Sequence, residues 1–149
     1  MAKLYFRGMA AQNGKPRLGR SARCLGIRPG IDIDVESLPL ERLDERGCLI
    51  SEVEQNSAGN ERVEVAIRNH KGMSTSLSIE GLPEFRRPPK FGGKGRDPLW
   101  QVDESDIRGD LEAVQDSDTH VSIMPSTTMA LERYEAALAS TQDSWTEVK

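Results

Sequence analysis

Three small groups of residues could do chemistry. His120 sits in the run T-H-V-S-I-M, which alternates like a strand, with Val121 and Ile123 pointing one way and His120, Ser122 and Met124 the other. An imidazole at a strand mouth, turned away from the apolar side, is placed for a cleft; the competing reading is a half-buried histidine with a backbone partner. Arg7 lies in K-L-Y-F-R-G-M, where Tyr5, Arg7 and Met9 share one face and Leu4 and Phe6 the other. A guanidinium between Tyr5 and Met9 is out of place on a solvated face, and its planar fork of donors suits phosphate or carboxylate. The alternative is a charge on an edge strand that discourages sheet-to-sheet pairing. Gly8 beside it lets something approach the backbone. In G-M-S-T-S, the hydroxyls of Ser74, Thr75 and Ser76 open a strand, where they either pin neighbouring loops or line a polar wall.

The elements that must position these groups are mostly strands. Strand patterns run over Lys3–Met9, Arg62–Arg68, the M-S-T-S-L-S-I stretch, Leu99–Val102 and the His120 run. Pro125 stops the last of these, and Ser126 or Thr127 can cap a final helix over about 127–141. Leu131, Tyr134 and Leu138 give that helix its apolar stripe, and Trp145 folds back after it. Val35, Leu38 and the Leu40–Leu43 segment predict a short helix broken by Pro39 and ended by Gly47, and Gln55–Asn60 a turn. Glu80–Arg96 reads as a long Pro/Gly-rich loop and flexible flap; its G-G-K-G lacks the spacing of a phosphate-binding P-loop. The carboxylates from Asp103 to Asp118 read as a solvated face, and Lys15–Arg28 as a basic loop able to attract an anion.

Composition sets the outer bounds. With 149 residues and neither repeat nor linker, the chain is expected to form one domain, 1–149. Hydrophobic content of 36%, mean hydropathy of −0.56, 13 glycines and 8 prolines argue for a loop-rich α+β fold rather than a helical bundle. A net charge of −4 argues against a broad nucleic-acid footprint. Two cysteines, Cys24 and Cys48, suit a reducing compartment. No apolar run has signal-peptide or membrane-span length, and no His/Cys/Asp/Glu spacing makes a metal site.

Taken together, L-Y-F-R-G, G-M-S-T-S-L-S-I-E-G and the stretch from Leu99 to Met129 resemble the ADP-ribosyltransferase superfamily. They resemble most closely the ADP-ribosyltransferase-like toxins delivered between bacteria by type VI secretion. The resemblance covers about half of the chain; Ala10–Arg62 has no specific match. It implies a cleft enclosed by mixed sheets with a C-terminal helix, NAD as the substrate, action in the cytoplasm, and a cognate immunity protein covering the cleft. It carries the family's functional arginine onto Arg7, its Ser/Thr pair onto Ser74 and Thr75, and its histidine onto His120. Tyr5 and Ser76 join Arg7, Ser74 and Thr75 as expected NAD contacts. The late Glu-x-Glu or Gln-x-Glu of active Arg–Ser–Glu transferases is absent: Glu52-Val53-Glu54 comes too early, and Asp116-Ser117-Asp118 is the nearest late pair. Breaking the nicotinamide–ribose bond passes through an oxocarbenium-like state that a carboxylate stabilises. Both ADP-ribosyl transfer and NAD turnover are therefore carried forward, beside an inert fold acting as a protein-binding module.

Overall fold

The computed structural model describes residues 3–39, 43–44 and 61–149. Glu52–Glu54, the Gln55–Asn60 turn, Gly47 and Cys48 lie outside the described residues. The fold is α+β. Six strands form the main sheet, ordered β11 (Thr146–Glu147), β7 (Leu99–Asp103), β1 (Leu4–Gly8), β6 (Met73–Ser76), β9 (His120–Pro125) and β8 (Leu111–Gln115). Every neighbouring pair in it is antiparallel. A second antiparallel sheet orders β10 (Met129–Ala130), β5 (Arg62–Ala66) and β4 (Val35–Pro39). The helix α1, Leu131–Ser140, packs against β5, β10 and β8.

Alternation makes the core. Tyr5 and Met9 of the β1 segment, Met73 of β6, Trp100 and Val102 of β7, and Val121 and Ile123 of β9 meet Leu131, Tyr134 and Leu138 of the helix in one buried cluster. The helix stripe is as the sequence pattern predicts, and Trp145 does fold back: it is buried, and its Nε1 donates to Thr141 Oγ1 at 3.0 Å. Tyr134 locks this layer to the sheet. Its hydroxyl donates to the Ile123 carbonyl at 2.6 Å and accepts the Met73 N–H at 3.2 Å, bridging β9 and β6.

Several sequence expectations need correction. Val35–Pro39 is a strand, not the start of a helix, because each of its residues is registered against β5. The final helix begins at Leu131 rather than near 127, since Met129 and Ala130 extend and pair with Ala66 and Val65. Its N-cap is Ala130, so neither Ser126 nor Thr127 caps it. The acidic stretch from Asp103 is more than a solvated face: it contains β8, whose Leu111 is buried. In β9, Ser122 and Met124 are buried along with Val121 and Ile123, so the alternation does not separate a wet face from a dry one. The basic segment starts with a hairpin, β2 (Ala11–Gln12) and β3 (Lys15–Pro16), joined by Asn13 and Gly14, both at positive φ. That is the two-residue turn whose twist suits a hairpin. The segment from Glu80 to Arg96 is not a free flap. It is folded through two 3-10 turns, Glu84–Arg86 and Pro89–Phe91. Main-chain bonds from Lys94 to Glu84 (2.8 Å) and from Gly95 to Arg87 (2.7 Å) close it on itself.

Candidate functional site

β1 and β6 are neighbours in the main sheet, yet they share a single registered pair, Phe6 with Ser76. Beyond that pair they part, and a cleft of about 280 Å³ opens there, near the small end of ligand-binding cavities. Arg7, Ser74, Thr75, Ser76 and His120 all line it. Three strands, separated by up to about a hundred residues of chain, thus bring these groups together.

Arg7 fills the parting. β1 is an interior strand of the sheet, so the edge-strand reading of this arginine falls away. The residue is only 7% exposed. Its Nη1 donates to the Ser74 carbonyl at 2.8 Å, its Nη2 to the carbonyls of Cys24 (2.9 Å) and Ala22 (3.2 Å), and its Nε to Cys24 at 3.3 Å. Burial pushes the guanidinium down to about 10, against the upward pull of the Asp32 carboxylate, so it remains charged at neutral pH. Main-chain carbonyls occupy Nε, Nη2 and one side of Nη1, which leaves a single N–H for any ligand. Arg7 gives the cleft a positive charge and ties the 22–24 loop to β6; a two-donor fork onto phosphate is not the geometry observed.

The three hydroxyls divide by register. Thr75 faces the core side with Val121 and is buried, its Oγ1 donating to the Val121 carbonyl at 2.9 Å. Ser76 Oγ donates to the Ser78 carbonyl at 2.7 Å. Ser74 is exposed, and its hydroxyl has no partner among the described residues. Of the three, Ser74 is the one with a donor to offer.

His120 is half-buried, and the partner of its ring is a carboxylate, not the backbone: Nδ1 lies 2.5 Å from Asp116 Oδ1. Tyr5 does not line the cleft. It is registered against Val102, toward the end of β1 where Asp103 and Glu104 lie, and burial followed by those two charges raises its hydroxyl pKa. Its expected place among NAD contacts has no support in the geometry.

Arg28, from the basic stretch expected to attract an anion, also lines the cleft, together with Asp32, Phe85 and Arg86, which sequence reasoning missed. Asp32 is the one carboxylate among the described lining residues. Arg28 grips it with the main-chain N–H (2.8 Å), Nε (3.1 Å) and Nη2 (2.9 Å). Burial would raise this carboxyl, but the bonds from Arg28 and the charges of Arg28 and Arg7 hold it below its ordinary value. The Arg86 guanidinium makes no hydrogen bond or salt bridge among the described residues, although its charge helps to lower Asp97. It stands 5.1 Å over the ring of Phe85, which is 65% exposed. Gly8 explains how this pair reaches the cleft: a Cβ there would meet the Arg86 carbonyl oxygen at 2.5 Å. What the glycine admits is the main chain of the 84–86 turn.

Among the described lining residues, three arginines against one carboxylate make this a cationic cleft in a chain of net charge −4. Among the described residues no cluster of three or more His, Cys, Asp or Glu could hold a metal, and no helix is long and apolar enough to cross a membrane. No curated protein and no solved structure matches the chain. A family model, that of the Tse2 ADP-ribosyltransferase toxin, matches residues 5–147. With nearly its whole length matched, the chain belongs to the Tse2 ADP-ribosyltransferase toxin family.

Proposed function

We propose that the cleft binds NAD and that the chain intoxicates bacterial cells from the cytoplasm by ADP-ribosyl transfer or NAD turnover. The observation that carries this reading is the meeting of Arg7, Ser74, Thr75 and His120 in one arginine-lined cleft of a family of ADP-ribosyltransferase toxins. NAD supplies a pyrophosphate and a glycosidic bond between nicotinamide and ribose, and cleavage of that bond passes the ribosyl group to an acceptor or to water.

Each side chain then has a task its surroundings allow. Arg86, whose guanidinium is not tied up in a salt bridge, meets a phosphate, and Phe85 beneath it offers a flat apolar face to a base. Ser74 donates its free hydroxyl to the bound nucleotide. Arg7 contributes charge and one N–H while holding the walls in place. His120 takes up or gives a proton at the mouth. Delivery by type VI secretion and neutralisation by a cognate immunity protein complete the proposal. Its occluding surface would cover the cleft and touch the exposed turn at Pro89–Phe91.

Calorimetric titration of NAD, together with NAD levels in bacteria expressing the chain, tests the reading. Wild-type protein should bind and deplete or transfer NAD, and Arg86→Ala and Ser74→Ala should weaken both. A chain that is toxic with no NAD binding and full tolerance of these substitutions would instead be a protein-binding module.

A further inference from the structure

We propose that Asp116 is a positioning residue for His120, holding the imidazole with Nδ1 bonded and Nε2 turned to the substrate. The role in catalysis rests on the NAD reading above; the geometry does not.

The four residues from Asp116 to Thr119 close the β8–β9 hairpin, immediately after the last registered pair, Gln115 with Val121. The Asp116 N–H donates to the His120 carbonyl at 3.1 Å, and the His120 N–H donates to Ser117 Oγ at 2.9 Å. Gln115 Nε2 donates to the Ser117 carbonyl at 2.9 Å and steadies the turn. Both main chains are therefore tied to one another before either side chain is considered. The Asp116 carboxylate is then divided: Oδ1 meets the ring at 2.5 Å, and Oδ2 accepts from Ser122 Oγ at 3.2 Å. Ser122 is 3% exposed, and its hydroxyl fixes the carboxylate plane from inside the sheet.

A carboxylate only accepts, so the proton between the two groups belongs to Nδ1. The neutral ring then carries its lone pair on Nε2. His120 lines the cleft whereas Asp116 does not; with Nδ1 held by Asp116, the assignment puts Nε2 on the cleft side. In this state His120 is ready to accept a proton from a hydroxyl, either of the ribose or of the acceptor that attacks it. The proton passes from that oxygen to Nε2, the oxygen keeps the electron pair, and Asp116 stabilises the resulting imidazolium. This is a carboxylate acting through histidine, not one touching the ribose. It gives Asp116, one member of the late acidic pair, a use other than that of the missing transferase glutamate.

The test combines ring-nitrogen NMR of the full chain, made by cell-free synthesis, with growth of cells expressing the same variants. A His70→Gln sample assigns the two histidines. His120 should show the Nδ1–H tautomer in the wild type and lose that bias in Asp116→Asn, which keeps shape but can donate to Nδ1. Toxic activity should fall about 10²-fold in Asp116→Asn with the thermal transition retained, and Asp116→Glu should recover part of it. An Nε2–H ring in the wild type overturns the assignment, as does an Asp116→Asn protein that keeps either the tautomer or full toxicity. Loss of toxicity on Asp116→Asn in a chain that never touches NAD would sink the NAD reading and leave this assignment standing.

Discussion

Arg7 Nη1 donates to the main-chain carbonyl of Ser74 at 2.8 Å, across the gap where β1 and β6 have stopped pairing. A side chain thus continues a ladder that the backbone has abandoned, and the cleft exists because the two strands are held apart and together at once. Arg7→Ala would leave the buried carbonyl of Cys24 and the part-buried carbonyls of Ser74 and Ala22 short of donors. It should cost about 2–4 kcal/mol of stability. Arg7→Lys should recover little, since an ammonium on a flexible stem cannot serve three carbonyls in one plane. Urea denaturation reads both; an unchanged midpoint for either variant would contradict the clamp.

Ser74 and Thr75 should separate cleanly. Ser74→Ala removes an exposed hydroxyl without a partner and should change stability by less than about 0.5 kcal/mol while lowering toxic activity. Thr75→Val removes the buried bond to Val121 and should cost roughly 1 kcal/mol or more, with toxicity following stability. Thermal melts and growth assays of the two single variants decide this, and a toxic Ser74→Ala protein would remove that hydroxyl from the site.

Gly8→Ala should act on the cleft through the neighbouring turn. The new Cβ would press on the Arg86 carbonyl oxygen, so the 84–86 turn must shift and carry Phe85 and Arg86 with it. We expect a loss of about 1–3 kcal/mol and weaker nucleotide binding than the stability loss alone accounts for. Comparing NAD titrations of folded Gly8→Ala and wild type checks it.

Tyr134→Phe keeps the ring and deletes the hydroxyl that joins β6 to β9 beneath the site. Two buried main-chain groups lose a partner, at a cost of about 1–3 kcal/mol. Hydrogen exchange at the Met73 amide should speed up more than exchange elsewhere in β6.

Acid should loosen the walls of the cleft. Asp32 is held below 3.8 as described above, and Asp97 likewise, chiefly by its bond from Arg23. For such carboxyls the folded state binds its proton less readily than the unfolded chain. Their stabilisation is complete above the unfolded value and is lost as pH falls through it and then through the lower folded value. Stability measured from pH 6 downward should drop below about pH 5, and Asp32→Asn should flatten that drop while being less stable at pH 7. An identical acid limb in the variant would argue against the Arg28–Asp32 lock.

By itself the sequence determined whatever depends on period and on local chemistry. The spacing of Leu131, Tyr134 and Leu138 marks the buried helix face, the alternation around Tyr5, Ser74, Trp100 and Val121 marks strands, and Gly8 marks a close approach. Asn13-Gly14 is equally local, a hairpin signal hidden among the basic residues around it. Only the tertiary structure decided that Val35–Pro39 and Met129–Ala130 are strands, because their partners lie on β5, far away in sequence. It alone decided that Arg7 is a buried clamp, since the groups it holds are main-chain carbonyls, which every residue carries and no sequence distinguishes. The pairing of Asp116 with His120 required the hairpin that brings positions 116 and 120 face to face. Side-chain type is written in the chain, but a partner is a matter of distance, and distance is settled only when the strands have paired.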